Sequence, residues 1–507
     1  MKFNLFNRLY VLGLILSLMG AAIVVQIIRV QTDPTIGDVI VESNTSKYEI
    51  DSSIVTPERG SIYDSSGHLL AGNRIAYEVG IYLVSVDDAN EAQFIASTLA
   101  GVMGLDYNYI MERVSIPYVA GESEYAVILD PVDADVVAKL EAEIKRLSDT
   151  GNNSLSGVAW TEHLVRNYPE GSLASNILGW FPYRDAVNGR AELGVEGYYN
   201  DTLAGSPEKV ELPRNPYDIQ TYREVPPGAS LILTINREVQ AAMEELIDQA
   251  VESSKSKGGT ILVMDPKTGE IIAMANSERM DINKYWEFDQ HISEPTAFNR
   301  SITRLYEPGS VFKVLTMSIG LDTGTVTPES TYYDSGWFDT GGSPIHNWDG
   351  TVWGEQNMTG CMQHSINTCL AYVATEVGTS KYYEYLQKFG IGKLSNIDLG
   401  GEAWYPLAVP GDEFWSDSNL GRNAFGQSVS VSVVQLASAI SSVANDGKMM
   451  APHVVKAVVD QGVQYDTPLR VVSQPIKAET AHTLSDMLAV SLEEEASNAL
   501  VDGYRVA

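Results

Sequence analysis

The chain is short of cysteine and short of positive charge. Only two of its 507 residues are cysteine, Cys361 and Cys369, and 34 lysines and arginines face 66 aspartates and glutamates, a formal charge of −32. That acidity excludes a nucleic-acid binder, which needs a basic face, and it suits a life outside the cytoplasm. There is no Cys-x-x-Cys and no paired-histidine helix spacing, so the sequence points to no metal site. On a single helix, cysteines eight residues apart would sit roughly 12 Å apart along the axis. That is too far for a disulfide, so the expectation is two buried structural thiols. Internal repeats and low-complexity tracts are also missing.

What is present is ordinary globular composition, 44% hydrophobic and 20% charged, in a chain long enough for two or three domains. Its first informative stretch is residues 9–28, LYVLGLILSLMGAAIVVQII. This is an uncharged run of about 20 residues, the length of a bilayer core. Lys2 and Arg8 precede it, which predicts a cytoplasmic tail over 1–8, a retained anchor over 9–28 and everything after Arg29 outside. A cleaved signal peptide is the rival reading. Residues 29–55 read as a polar stalk.

Farther along, Ser61–Tyr63 and Leu69–Ala71 flank an Asp-Ser-Ser-Gly turn, a hairpin signal, and 77–86 reads as a strand. Helical periodicity covers 88–115 and 131–148, the latter through Val132, Val136, Val137, Leu140 and Ile144. Residues 158–225 read as irregular and Gly-rich. Leu231–Ile235 reads as a strand, and Asn236 caps a helix running to about Ser256. Gly259–Asp265 and Glu270–Ala275 form a second hairpin across Pro-Lys-Thr-Gly. Helix signals follow at 310–320, 358–378, 380–390, 433–446 and 478–496. A sheet with helices packed around it is the expected architecture from 230 onward.

The chemistry-bearing stretch is Tyr306-Glu-Pro-Gly-Ser-Val-Phe-Lys313. Ser310 and Lys313 fall one turn apart on one helix face, where a desolvated amine could take the hydroxyl's proton. A helix start could also stabilise an oxyanion. By itself the pair reads equally as a helix cap and a surface lysine. A second Ser-x-x-Lys, Ser254–Lys257, lies in a Lys/Ser-rich segment and reads as a solvated surface. Ser365-Ile-Asn367, at the start of an apolar helical run, could relay a proton and hold a peptide carbonyl. Alone it is no more than a cap.

Together and in this order, Ser310–Lys313 and Ser365–Asn367 resemble the penicillin-binding proteins and serine β-lactamases. Further stretches are similar to the class B penicillin-binding proteins. In the N-terminal half these are Arg59-Gly60 with Ile62, Asp64, Gly67 and Leu69-Leu70-Ala71, then Arg166 with Tyr168-Pro169, and Leu193-Gly-Val-Glu-Gly197. In the C-terminal half they are Asp265-Pro-x-Thr-Gly-Glu-Ile-x-Ala273, Tyr306–Ser310, Gly426-Gln427 through Gln435-Leu436-Ala437, and Ala444-Asn445-x-Gly447. The resemblance covers roughly 55–507.

It implies an α+β multidomain fold: the transmembrane helix, an α+β pedestal over 56–225, and a transpeptidase domain over 226–507 with an antiparallel sheet and helices on both faces. It also implies peptidoglycan D,D-transpeptidation. Ser310 would be the nucleophile on a stem peptide ending in D-Ala-D-Ala, Lys313 the neutral base, Ser365 the proton relay to the leaving D-Ala, and Asn367 a donor-peptide ligand. No cofactor or metal is implied. Implied partners are the stem peptide and lipid-linked glycan strands, β-lactams that acylate Ser310, the membrane, a membrane glycosyltransferase, and other division or elongation proteins. Tyr306-Glu-Pro-Gly-Ser310 is more like the division and sporulation members than the rod-elongation ones. A β-lactam sensor, a serine β-lactamase-like hydrolase and a non-catalytic division scaffold are the alternatives.

The family's Lys-Thr-Gly motif follows the other two. Lys267-Thr268-Gly269 precedes them and reads as a turn. Asp502–Ala507 resembles the lead-in to the true motif, so the resemblance implies a chain truncated just before it, which would label poorly with fluorescent penicillin where the full-length parent would capture it.

Overall fold

A computed structural model describes residues 5–32, 50–182, 191, 193–213, 225–495 and 497–507. The chain divides into two compact units. One comprises 1–57 and 205–227, the other 58–204 and 228–507.

The described part of the first unit holds helix α1 (Leu5–Thr32) and a two-stranded antiparallel ladder, Ile50–Val55 against Glu208–Pro213. The expected anchor falls within α1, and its side chains over 10–26 are all exposed. Among the described residues no helix is long and apolar enough to cross a membrane. Most of the expected stalk, 33–49, lies outside the described residues.

The second unit is built on a seven-stranded sheet. In chain order its strands are β1 (Ile62–Tyr63), β2 (Leu69–Tyr82), β3 (Tyr125–Val132), β4 (Val158–Asn167), β5 (Ser230–Leu233), β6 (Val455–Asp460) and β7 (Val463–Asp466). Neighbours run β7-β6-β5-β1-β2-β3, with β4 also on β2. The Asp64–His68 turn closes the expected β1–β2 hairpin, with Ile62 opposite Ala71. β1 pairs parallel with β5, so one sheet joins the N-terminal and C-terminal halves. The sheet is therefore mixed, though its strands from 226–507, β5, β6 and β7, pair antiparallel with one another. Gly60 makes this junction possible, because a Cβ there would lie 1.9 Å from the Ala229 carbonyl oxygen.

Three segments depart from the sequence reading. β2 does not stop at Ala71 but continues into the separately expected strand, as far as Tyr82. The stretch read as irregular contains β4, paired with β2 over ten residues. Its burial does not alternate with period two, so the usual strand signal is absent. The helix expected over 88–115 breaks at Gly104 into α2 (Ala89–Met103) and α3 (Tyr107–Val114). Residues 183–190, 192 and 214–224 of the supposed irregular region lie outside the described residues.

α4 (Ala134–Asp149) and α2 cover one face of β2–β3, with Val79, Ile81, Ile95, Leu99, Ile128 and Leu140 in the shared core. α5 (Arg237–Ser254) starts where Asn236 Oδ1 accepts from the Val239 amide at 3.0 Å. It lies against the hairpin Thr260–Met264/Ile271–Asn276. The C-terminal half is centred on α6 (Lys313–Asp322), whose Leu315, Met317 and Ile319 are completely buried. Around it pack α7 (Met358–Gln363), α8 (Asn367–Val377), α9 (Thr379–Lys388), α10 (Val433–Ser441) and α11 (Ala478–Glu495).

Candidate active site

Ser310 lies in a 3-10 turn, Gly309–Phe312, that runs straight into α6. The turn is fastened to the segment 426–431. Tyr306 and Val431 exchange both backbone hydrogen bonds, the Gly309 amide donates to the Gly426 carbonyl at 3.0 Å, and the Ser428 amide donates to Glu307 Oε1 at 2.8 Å. Only glycine fits at 426. Its φ is +76°, and a Cβ would meet the Gly309 carbonyl oxygen at 2.2 Å. Phe312, fully buried, roots the turn in the core, while Ser310 itself is exposed.

One turn on, Lys313 is 2% exposed. Its Nζ donates to Ser365 Oγ at 2.8 Å and to the Ser365 carbonyl, and Ser365 Oγ donates to Ser310 Oγ at 3.0 Å. The contacts therefore run Ser310–Ser365–Lys313, so the serine reaches the amine through a second hydroxyl. Burial pushes the Lys313 amine down to about 7, because a charged ammonium is disfavoured away from water.

Ser365 occupies a break between α7 and α8, with φ at +53°. A left-handed serine is strained by roughly 1–3 kcal/mol unless its surroundings hold it. Two braces lie on either side. His364 stacks on Trp353, ring centroids 3.9 Å apart. Cys361 and Cys369 form a disulfide with Cα atoms 6.1 Å apart. This corrects the expectation of two free thiols, which assumed one continuous helix. The kink at Ser365 turns α8 back so that the two sulfurs meet. Asn367, the first residue of α8, donates from Nδ2 to the His346 carbonyl at 3.1 Å.

Ser365 thus links Ser310 to Lys313, and Asn367 stands two residues from Ser365. Sequence reasoning missed His346, Trp353 and His364, which touch the site from 340–364 without any motif spacing. Ser254–Lys257 lies at the exposed end of α5. Lys267–Gly269 sits in the tight turn closed by the Gly269 amide on the Asp265 carbonyl. Both are as the sequence predicts. Two cavities, about 560 Å³ beside Phe389 and Met450 and about 690 Å³ beside Tyr168 and Tyr285, are lined by other residues than Ser310, which is exposed.

A mixed α+β body with a serine, a buried lysine one turn on and a second serine bridging them is of the Ser-x-x-Lys class. Residues 259–507 match the Penicillin binding protein transpeptidase domain, and 54–228 match the Penicillin-binding Protein dimerisation domain. The chain is 28% identical over 473 residues to Stage V sporulation protein D of Bacillus subtilis, covering 89% of this chain and 68% of that protein. It is 25% identical over 455 residues to Peptidoglycan D,D-transpeptidase MrdA of Escherichia coli K12, covering 81% and 68%. Its fold is that of penicillin binding protein 3 from Mycobacterium tuberculosis in complex with aztreonam, with TM-score 0.63, 22% identity, and 89% and 78% of the two chains covered. The chain belongs to the class B penicillin-binding proteins. It spans about half to two thirds of the length of the curated relatives it matches.

Proposed function

We propose that this protein is a peptidoglycan D,D-transpeptidase working through an acyl-enzyme on Ser310, and a target of β-lactams. The observation that carries the reading is the hydrogen-bonded series Ser310–Ser365–Lys313 with the lysine amine buried. In it, Ser310 Oγ attacks the carbonyl of the penultimate D-Ala while its proton passes through Ser365 Oγ to neutral Lys313. The C–N bond then breaks, and the same proton returns through Ser365 to the leaving D-Ala amine. An amine from a neighbouring strand attacks the ester, forms the cross-link and frees the serine. Asn367 holds the donor peptide. A base with a pKa near the working pH is the most effective proton carrier.

Support also comes from the relative named as a peptidoglycan D,D-transpeptidase and from the solved relative holding aztreonam. Residues 9–28 serve as the membrane anchor, with the remainder outside, 56–225 as pedestal and 226–507 as catalytic domain. The apolar run supports this placement. A role in septal rather than side-wall synthesis is favoured by Tyr306–Ser310 and by the sporulation relative. Depletion should then give undivided filaments, and rounded cells would argue for elongation.

The decisive experiment is covalent capture of a fluorescent penicillin by the intact protein. Capture by the wild type and none by Ser310→Ala is expected. Retained capture in the variant would refute the assignment.

A further inference from the structure

Behind Ser365 and Asn367 lies a fully buried carboxylate, Asp334, at the end of the strand Thr331–Asp334. Among the described residues no cationic side chain forms an ion pair with it. Instead it accepts four hydrogen bonds. Oδ1 takes the Gly336 amide at 2.9 Å and Thr368 Oγ1 at 2.8 Å, and Oδ2 takes Asn347 Nδ2 at 2.8 Å and the Trp353 amide at 2.9 Å. Burying an ionised carboxylate is costly unless donors replace its water. Four converging donors do so and lock all four groups in place.

Those groups surround the site. Asn347, held by Asp334, accepts on Oδ1 from the Asn367 amide at 3.1 Å and the Thr368 amide at 3.5 Å. These are the first two amides of α8, whose own N-cap residue, Ile366, makes no side-chain cap bond. Helix-start amides need an outside acceptor, and here a residue 20 positions upstream supplies it. The neighbouring His346 carbonyl takes the Asn367 side chain. Trp353, whose amide Asp334 holds, stacks on His364 next to Ser365.

We propose that Asp334, acting through Asn347, is the positioning residue that sets Ser365 and Asn367 for reaction. It touches neither substrate nor nucleophile. Its carboxylate fixes the cap of α8 on one side of the strained kink and, through the Trp353 amide, the ring that braces His364 on the other. The assignment rests on the roles of Ser365 and Asn367 proposed above.

Asp334→Asn keeps the shape but turns an NH2 group toward two of the donors. Asn347→Ala removes only the relay and is the variant less at risk of misfolding. In the intact protein, each should raise hydrogen exchange at the Asn367 and Thr368 amides by about tenfold or more, with the amides of α6 unchanged. Each should slow β-lactam acylation by about tenfold or more, since a small misplacement costs that much. The double variant should lose less than the two single losses combined, because the Asp334–Asn347 bond is common to both. Wild-type exchange at 367–368 in both single variants, exchange raised equally across α6, or additive loss in the double variant would each overturn the proposal. The exchange measurement requires no activity. A wild type that captures no β-lactam would therefore sink the transpeptidase reading while this arm still decides the role of Asp334.

Discussion

At the scale of single residues, the telling quantity is the state of one amine. Lys313 is driven down to about 7 by burial. Below that pH it holds its proton and cannot accept one from Ser310, whereas above it the amine is free. The rate of β-lactam acylation should therefore rise with pH through about 7 and level off above it, which a stopped-flow series checks. A rate that is flat from acid to alkaline pH would remove Lys313 from the proton path. Lys313→Arg should abolish acylation, because a guanidinium stays charged throughout this range. The residue types and their one-turn spacing were legible in the sequence. The route was not, because Ser365 lies 55 positions away and no local pattern says that its hydroxyl comes between the Ser310 hydroxyl and the amine.

At the scale of elements, the site is a turn and a kink held from outside. Gly426→Ala would push a methyl into the Gly309 carbonyl at a backbone angle that side chains avoid. The expected loss is about 1–3 kcal/mol of stability, together with slower penicillin capture, read by thermal melting and labelling side by side. A variant with wild-type melting and capture would show that the serine turn tolerates displacement. Opening the Cys361–Cys369 bridge with reductant should lower stability by about 2–3 kcal/mol, the entropy of a loop this short, measured by denaturant unfolding with and without dithiol. An unchanged midpoint would assign the bridge no structural weight. The hairpins and the Asn236 cap were readable because turn and cap chemistry is local. The disulfide was misread because a continuous apolar run, 358–378, conceals a break. Serine carries no signal for a left-handed φ as glycine does, so α7 and α8 looked like one helix. The strand β4 was hidden because its burial is set by its pairing with β2, about 85 positions upstream, and does not alternate along the strand.

For the whole molecule, the sheet ties the two halves, and one buried ion cluster braces the N-terminal half. Glu196, with no exposed surface, takes Arg59 Nε at 2.7 Å, Arg166 Nε at 2.6 Å and the Tyr168 hydroxyl at 3.2 Å. Burial pushes its carboxyl up, but the Arg166 and Arg59 guanidiniums outweigh that and hold it below the usual range. Glu196→Ala would strand two largely buried guanidiniums, at about 3–5 kcal/mol. Denaturant unfolding should register this, and a loss under about 1 kcal/mol would mean that water already reaches the pair. The matching stretches Arg59-Gly60, Arg166 and Leu193–Gly197 were recognisable as sequence, but nothing in them revealed that they converge on one carboxylate. The parallel pairing of β1 with β5 has a practical outcome for anyone recombining such genes. The two sequence matches part near residue 228, which invites a crossover there. A crossover at that point would supply β5 from one parent and its hydrogen-bonding neighbour from another, and excision there would bare the edge of the strand. β5 also pairs with β6, so its two neighbours come from opposite ends of the chain and all three strands have to be inherited together.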